Sequence, residues 1–338
     1  MDLDGDGIKD VLSGSWPGEI FLFRGQRDGG FAPSEKLKDK DGNIINVGGG
    51  VQETADSITI TGDAEFKEDK DGHYVEYNGK IYRDTANKQV LLTGCASSVA
   101  VADWNGDGLL DLIVGDIRGH VSVYLNEGSK QQYAFGKPTR LKANGKEIEV
   151  PHGDAGPCVA DWDGDKLLDL IVGCGDGSVI FYRNVGTARE PRLAEGEVLV
   201  PPGKIEYDLD KISKEPTRGV RAKVCVEDYN GDGLPDLLVG DLSNQKPNQP
   251  ELTAEQKKKQ EKAKKELEKL QSEYGNLVQK LFGPQRVKDK DEVKKISDQL
   301  TKLRERMTEL RKDAGTEYET HGWVWLFLRE PPTKKSAE

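Results

Sequence analysis

The amino-acid sequence predicts an all-β fold built from repeated small antiparallel sheets, with one long helical insertion. Three observations lead to this prediction. A nine-residue acidic motif recurs four times, short strand-like runs flank each copy, and a separate segment carries apolar residues at helical spacing. The chain has 338 residues, of which 39 are glycine, and this abundance indicates many tight turns. Repeats of this kind are typical of architectures in which one small sheet is the unit.

The recurring motif has the form D-x-[DN]-G-D-x-x-x-D. Its four copies begin 101, 58 and 67 residues apart, and each is followed by a short aliphatic run. We number the positions of the motif 1 to 9 and the loops 1 to 4 in chain order. The copies are DLDGDGIKD at 2–10, DWNGDGLLD at 103–111, DWDGDKLLD at 161–169 and DYNGDGLPD at 228–236.

The flanks of the motif repeat as well. A run of small apolar residues precedes copies two to four, and an aromatic strand-like run follows every copy, at 19–23, 120–124, 178–182 and 323–327. The first three copies add a short extended segment at Leu37, Leu141 and Leu193. Each unit therefore contains the four short strands of a β-propeller blade. The sequence predicts a β-propeller with four recognisable blades, and an incomplete ring is one form that these blades could take.

The segment at 243–320 differs in composition and predicts two helices. Its apolar residues are spaced alternately three and four apart, which is a heptad pattern, on either side of a Gly283-Pro284 break. We expect an antiparallel coiled-coil hairpin, and a charged linker helix is the alternative. The two stripes are Leu267, Leu270, Tyr274, Leu277, Leu281 and Val293, Ile296, Leu300, Leu303, Met307, Leu310, Ala314.

The predicted organisation follows from these segments. Residues 1–242 contain the blades, 243–320 the helical hairpin, 321–330 the returning strand of the last blade and 331–338 a disordered tail. The first repeat lacks a preceding strand and the last lacks an outer strand. We therefore expect the C-terminal part of a longer protein with upstream blades. The alternative is a full chain that forms an incomplete ring or pairs with another subunit.

The spacing of the acidic motif indicates metal binding. Carboxylates at positions 1, 3, 5 and 9, with a backbone carbonyl at position 7, offer only oxygen ligands in a flexible loop, which suits calcium better than zinc or copper. An EF-hand is excluded because position 12, which needs a bidentate acid, is Ser13, Val114, Val172 or Val239. The candidate ligands are Asp2, Asp4, Asp6, Ile8, Asp10; Asp103, Asn105, Asp107, Leu109, Asp111; Asp161, Asp163, Asp165, Leu167, Asp169; and Asp228, Asn230, Asp232, Leu234, Asp236.

These four motifs and their flanking strands resemble FG-GAP/VCBS repeats, the calcium-loop blades of integrin α-subunit propellers and of bacterial secreted VCBS proteins. The resemblance implies up to four calcium ions held by the aspartates and asparagines of the motif. Loop 3 departs from the pattern at position 6, where Lys166 replaces the glycine of the other copies. If this position needs a positive φ, lysine costs on the order of 1 kcal/mol and its charge opposes the cation. We predict that loop 3 is the weakest site.

The topology of such propellers implies that the insertions at 48–95, 203–220 and 243–320 lie on the face opposite the calcium loops. We expect an unidentified protein or glycan ligand on this insertion-rich face, and calcium in a structural role. The rival interpretation is a propeller polysaccharide lyase or hydrolase with its site on the same face, although no catalytic motif is present. Low-affinity calcium loops favour an extracytoplasmic location, in the periplasm, at the cell surface or secreted.

Charge and hydropathy exclude two other classes. The net charge of −11 argues against a general nucleic-acid binder. The sequence contains no run of 18 apolar residues, so it predicts no transmembrane helix. The four cysteines are too few for a disulfide scaffold, and their pairing is left open. Cys158 and Cys225 each lie three residues before an acidic loop, where we expect small buried residues.

Overall fold

A computed structural model describes residues 1–48, 50–61, 64–69, 72–77, 79–85, 88–93, 95–248, 252–282, 287, 289–315 and 318–330. The chain forms two compact units, one of residues 1–205, 217–243 and 322–338 and one of residues 206–216 and 244–321. The predicted Gly283-Pro284 break and the predicted disordered tail at 331–338 lie outside the described residues.

The chain is predominantly β, as the sequence predicts, and has two helices. In chain order the elements are β1 (Val11–Gly14), β2 (Ile20–Phe23), β3 (Glu35–Lys36), β4 (Gly50–Glu53), β5 (Ser57–Thr61), β6 (Glu65–Asp69), β7 (Gly72–Tyr77), β8 (Lys80–Tyr82), β9 (Gln89–Thr93), β10 (Ser97–Ala102), β11 (Asp111–Asp116), β12 (Val121–Tyr124), β13 (Thr139–Arg140), β14 (Lys142–Ala143), β15 (Lys146–Glu147), β16 (Gly156–Ala160), β17 (Asp169–Gly173), β18 (Val179–Tyr182), β19 (Glu197–Val200), β20 (Val220–Glu227), β21 (Asp236–Gln245), α1 (Ala254–Phe282), α2 (Lys290–Ala314) and β22 (Glu319–Phe327).

Each acidic motif borders one antiparallel sheet. The strand orders are β1-β2-β3, β10-β11-β12-β13, β16-β17-β18-β19 and β20-β21-β22, and no closed sheet occurs among the described residues. In copies two to four, the motif joins the first and second strands, for example β10 and β11, which pair from Ser97↔Asp116 to Ala102↔Asp111. In the first copy the motif precedes β1. The second strands therefore begin at the acidic loops and lead away from them.

The sheets pack in chain order through shared apolar cores. Leu22 and Leu37 of the first sheet pack with Leu112 of the second. A second cluster joins the second and third sheets, and a third joins the third and fourth, with Ile171 and Val239 among its members. The strands β10, β16 and β20 are neighbours along this stack. This arrangement explains why the second and third strands of the middle copies are buried along their whole length, since both of their faces are covered.

The outer strand of the third sheet differs from the prediction. The expected extended segment at Leu193 forms only isolated bridges, and the strand paired with β18 is β19, residues Glu197–Val200. Phe135 in the second repeat makes the same bridge to Asn126 that Leu193 makes to Asn184. Leu193 therefore corresponds to Phe135. The short motif did not reveal this because both positions are single buried residues within irregular loops.

The insertion between the first and second sheets forms two further three-stranded sheets. One has the order β4-β5-β9, in which β5 and β9 are parallel, and the other has the order β6-β7-β8. Its own small core contains Ile60, Val75 and Val90. The strands β7 and β8 form a hairpin, and Asn78 between them lies outside the described residues.

The second unit contains α1 and α2, which pack against each other antiparallel. Ala263 near the start of α1 lies in one cluster with Leu310 and Ala314 near the end of α2, and Leu277 lies in another with Ile296 and Leu300. Asp289 caps α2 by accepting a hydrogen bond from Glu292 N at 2.9 Å. Apart from Ala263, these residues belong to the two predicted apolar stripes. Neither helix has an apolar stretch that could span a membrane, within the part of the chain that is described.

All four cysteines are free thiols. Cys95 and Cys174 are buried, and Cys158 is half-buried. The prediction of a buried residue is wrong for Cys225, which is exposed, because burial alternates along β20 and Cys225 falls on its open face.

Candidate metal centres

Position 1 of each acidic loop organises the turn. The carboxylate of Asp2 accepts hydrogen bonds from the backbone N–H groups of Gly5, Asp6 and Gly7 at 2.8, 3.2 and 2.9 Å. Asp228 accepts the same three bonds from its own loop, and Asp103 and Asp161 each accept two of them. Aspartate is suited to this task because its short side chain reaches backbone groups a few residues ahead.

Position 5 closes the second half of each loop. The carboxylates of Asp6, Asp107, Asp165 and Asp232 each accept a hydrogen bond from the backbone N–H of position 7 at 2.8 Å. The position 7 residues, Ile8, Leu109, Leu167 and Leu234, therefore take part through their N–H groups. The predicted role of their carbonyl oxygens stays a prediction.

Position 9 ties the loop to the sheet. Both oxygens of Asp169 are used, since they accept hydrogen bonds from Trp162 N at 3.0 Å and from Asn184 N at 2.8 Å. Asp10, Asp111 and Asp236 accept the same two bonds, from the backbone N–H of position 2 of the loop and from that of the second residue after the aromatic strand-like run. All four position 9 side chains are buried. Position 9 is thus a structural link in addition to a candidate ligand.

Burial has an electrostatic effect at position 9. Desolvation raises the pKa of Asp111 and Asp169 above the usual aspartate value, and the hydrogen bonds from backbone N–H groups only partly oppose this effect. The neighbouring carboxylates of Asp107 and Asp163 act in the same direction as burial. A cation beside these acids would relieve their repulsion, because opposite charge favours the ionised form.

The carboxylates of loops 1 and 3 converge. Asp2, Asp4 and Asp10 offer oxygens that all lie within 4.8 Å of one another, and so do Asp161, Asp163 and Asp169. Among the described residues, loops 2 and 4 contain no such group of three acids, because Asn105 and Asn230 replace the position 3 aspartate. The predicted position 5 ligands are not members of the two groups.

One observation in loop 1 indicates that these donor sets fit a hard cation. Asp4 Oδ1 is buried and accepts no hydrogen bond from the described residues. A buried carboxylate oxygen without a donor is costly unless a cation or water satisfies it. Oxygen ligands of this type suit calcium or magnesium, and the flexible loop favours calcium.

Position 6 has the backbone conformation that the sequence suggested. Gly7, Gly108 and Gly233 have φ values of 85°, 89° and 86°, and Lys166 has a φ of 73°. A side chain at the three glycines would meet no atom within 4 Å, so the preference for glycine here is conformational and not steric. Loop 3 therefore holds a lysine in the left-handed region.

Two arginines beside the loops were missed by the sequence analysis. Arg24 forms an ion pair with Asp4, and Arg183 forms one with Asp163 at 3.1 Å. Both arginines immediately follow the aromatic strand-like run of their repeat. The available signal was a correlation between copies: repeats with aspartate at position 3 have arginine there, and repeats with asparagine have leucine, Leu125 or Leu328.

The ends of the strands away from the acidic loops contain other ion pairs. Arg140 pairs with Asp116 at 3.1 Å, and Arg218 pairs with Asp241 at 2.9 Å. The turn at Asp116 also contacts the connection to the next sheet, since Asp154 N donates to Ile117 O at 2.9 Å. The turns between second and third strands thus lie beside the connections between sheets.

Comparison with known proteins agrees with the sequence motifs. A family model described as FG-GAP-like repeat matches residues 103–172 and 161–239. Integrin alpha-7 of Homo sapiens is 32% identical over 169 residues, which cover 46% of this chain and 13% of the integrin. Integrin alpha-3 of Mus musculus is 24% identical over 255 residues, which cover 68% of this chain and 23% of the integrin. The chain thus spans less than a quarter of the length of these relatives.

Two solved structures show a weaker likeness. An Agrocybe aegerita lectin that recognises non-reducing terminal N-acetylglucosamine has a TM-score of 0.28 and 21% identity, covering 59% of this chain and 50% of the lectin chain. The periplasmic gluconolactonase PpgL of Pseudomonas aeruginosa also has a TM-score of 0.28, with 16% identity, and covers 71% of this chain and 64% of its own. Likeness at this level supports no conclusion about function.

Proposed function

Since the chain carries FG-GAP-like repeats, we propose that it is a calcium-stabilised β-propeller module that binds a protein or glycan ligand. The observation that carries the proposal is the equivalence of the four acidic loops. In every copy, position 1 accepts a hydrogen bond from the backbone N–H of position 6, position 5 accepts one from position 7, and position 9 accepts one from position 2. Four loops of one geometry, each with three or four acids, are best explained by one shared ligand.

Calcium has a structural role in this proposal. It binds the side chains at positions 1, 3, 5 and 9, together with the position 7 carbonyl, and offsets the repulsion between the carboxylates. Because position 9 is bonded both to its loop and to the end of the third strand, a cation there would hold three parts of one sheet together. Loop 3 is the weakest of up to four sites, since Lys166 is strained and positively charged.

The four motif-bearing sheets are the blades of the propeller, and α1 and α2 form a coiled-coil hairpin inserted in the last blade. The proposed domains are residues 1–242 for the blades, 243–320 for the hairpin and 321–330 for the returning strand. The antiparallel packing of α1 and α2 supports the hairpin. Ion pairs across the helices support it further, between Lys259 and Asp313 and between Arg306 and Glu266, at 2.8 Å each.

The ligand surface is the face opposite the calcium loops. What supports this choice is that the insertions begin and end near the turns between second and third strands. The turn at Gly18 is beside Asn46 and Cys95, which flank the first insertion, and Gly177 is beside Gly203 and Gly219, which flank the second. The similarity to integrin alpha subunits favours a protein partner, and a glycan is the other ligand class. Calcium loops of low affinity also favour action outside the cytoplasm.

Thermal unfolding tests the calcium proposal. Calcium at a hundred times its dissociation constant stabilises the folded chain by about 2.7 kcal/mol for each site. Each kcal/mol raises the midpoint of a domain of this size by about 2–4 °C. We expect the midpoint in calcium to exceed the midpoint in chelator, with magnesium giving a smaller shift. An equal midpoint in calcium and in chelator would remove calcium from the proposal.

Ligand binding is tested with the same protein on a glycan array, in calcium and in chelator. Calcium-dependent binding to one glycan class supports a glycan ligand. Turnover of an array polysaccharide would replace the binding module by the lyase or hydrolase alternative.

A further inference from the structure

Each acidic loop has one neighbour that occupies the same position in all four repeats. The residue that follows this neighbour in the chain donates its backbone N–H to the position 9 carboxylate, with N–O distances from 2.7 to 2.9 Å. This shared hydrogen bond fixes the structural alignment of the copies. The equivalent neighbours are Arg24, Leu125, Arg183 and Leu328.

The identity of this neighbour changes together with position 3 of the loop. Arginine occurs where position 3 is Asp4 or Asp163, and leucine occurs where it is Asn105 or Asn230. The arginines reach the position 3 carboxylates, since Arg24 pairs with Asp4 and Arg183 Nη1 lies 3.1 Å from Asp163 Oδ2. The formal charge of positions 1, 3, 5 and 9 plus the neighbour is therefore −3 in every copy.

In the two loops with asparagine at position 3, a group within the loop itself contacts the position 5 acid. Asn105 Nδ2 donates to Asp107 Oδ2, and Asn230 Nδ2 donates to Asp232 Oδ2, at 2.9 Å each. An aspartate at position 3 cannot donate such a bond, so the acids at positions 3 and 5 would only repel each other. In loops 1 and 3 the arginine supplies the positive group that the amide cannot.

We propose that Arg24 and Arg183 are internal counter-cations that stabilise loops 1 and 3 without metal and lower the calcium affinity of these two loops. The affinity part of this inference rests on the proposed function, because it assumes that the loops bind calcium. A cation and the guanidinium share the position 3 carboxylate, so binding must overcome their mutual repulsion. The chain thus has two classes of site: loops 2 and 4 without a counter-cation, and loops 1 and 3 with one.

Loop 3 offers the cleaner test, because Arg24 also donates a hydrogen bond to Glu35. Both arginines lie over an aromatic ring, Arg24 over Tyr133 and Arg183 over Phe181. The variants are R183L, which installs the residue of the other class, D163N, and R183L/D163N, which reproduces the loop 2 pattern. Calcium binding is followed through the backbone amide resonances of Lys166 and Leu167, whose N–H groups donate to acids of loop 3. This readout separates loop 3 from the other loops.

The formal charges predict the order of affinity. R183L raises the affinity of loop 3 about tenfold, the change expected from removing one positive charge close to the cation at a partly exposed site. D163N lowers it, and R183L/D163N returns it to near the wild-type value. A reciprocal pair in loop 2 is the matched control: L125R weakens that site and L125R/N105D restores it. Removal of an exposed charge elsewhere, by K137L, leaves the affinity of loop 3 unchanged.

Stability in chelator gives an independent readout. There R183L unfolds at lower temperature than wild type, because four carboxylates lose their counter-cation, and R183L/D163N recovers the midpoint. Coupling between the two substitutions without any calcium binding would support the counter-cation role in the metal-free loop and overturn both the affinity part and the calcium proposal. Calcium binding with additive effects of R183L and D163N, in affinity and in stability, would overturn the counter-cation inference alone.

Discussion

Replacement of Lys166 by glycine isolates the one departure from the repeat at position 6. Lys166 has a φ of 73°, close to the values of the equivalent Gly7, Gly108 and Gly233. Its backbone N–H donates to Asp161 Oδ2 at 3.0 Å, a bond that glycine would keep. The variant K166G therefore removes backbone strain and one positive charge without removing a hydrogen bond of the loop.

The expected gain in stability is modest. The left-handed conformation costs an L-residue about 1–2 kcal/mol, whereas glycine loses about 0.5–1 kcal/mol more conformational entropy on folding. The net gain for K166G is therefore about 0–1.5 kcal/mol. Removing the charge adds to calcium affinity, by a factor of about two to five because the exposed lysine is screened by solvent.

Denaturant unfolding in chelator measures the strain, and calcium titration of loop 3 measures the charge. K166Q is the control that keeps the strained backbone but removes the charge. G108K is the reverse variant in loop 2, where an added Cβ meets no atom within 4 Å, so that the cost is that of the backbone conformation. We expect K166G to be more stable than K166Q in chelator, and G108K to lose up to about 1.5 kcal/mol.

Equal stability of K166G and K166Q in chelator would refute the strain argument. A calcium titration in which wild-type loop 3 fills before the other loops would refute the prediction that it is the weakest site.

Three further predictions follow from burial and hydrogen bonding. D169A loses about 2–4 kcal/mol of stability even in chelator, because it leaves the buried N–H of Asn184 and the partly buried N–H of Trp162 without their acceptor. D165A, in the exposed half of the loop, loses less than about 1 kcal/mol in chelator and mainly weakens calcium binding. Denaturant unfolding and calcium titration separate the two effects. Burial raises the pKa of Cys174 to about 11, so that its thiol stays protonated at neutral pH. Mass spectrometry after brief alkylation should find Cys225 modified and Cys174 intact until the chain unfolds. L300A truncates a side chain in the core between α1 and α2 and should cost about 2–4 kcal/mol of stability. Helical circular dichroism should then be lost at a lower temperature than in the wild type. An unchanged transition would contradict the shared core.

The loops could be read from the sequence because their structure is local. The hydrogen bonds of position 1 and position 5 join residues at most five apart, so the nine-residue motif contains both donors and acceptors. The positive φ at Lys166 could be anticipated for the same reason, since three glycines stand at the equivalent place. The helical stripes were equally accessible, because residues three and four apart share one face of a helix.

Other features depend on strand register and could not be read in this way. Asp169 meets Asn184, and Arg183 meets Asp163, only because β17 and β18 pair as Leu170↔Tyr182. The outer strand at β19 instead of Leu193, the parallel pairing of β5 and β9 and the exposure of Cys225 are also outcomes of packing between distant segments.

The repeat, its acidic loops and the helical insertion were therefore evident from the sequence alone, since each is encoded within a few neighbouring residues. Only the tertiary structure showed that position 9 fastens each loop to its sheet and that two of the loops carry an arginine against their position 3 aspartate. The reason is physical: a hydrogen bond or ion pair between residues about twenty apart forms only when the strands between them fix the register.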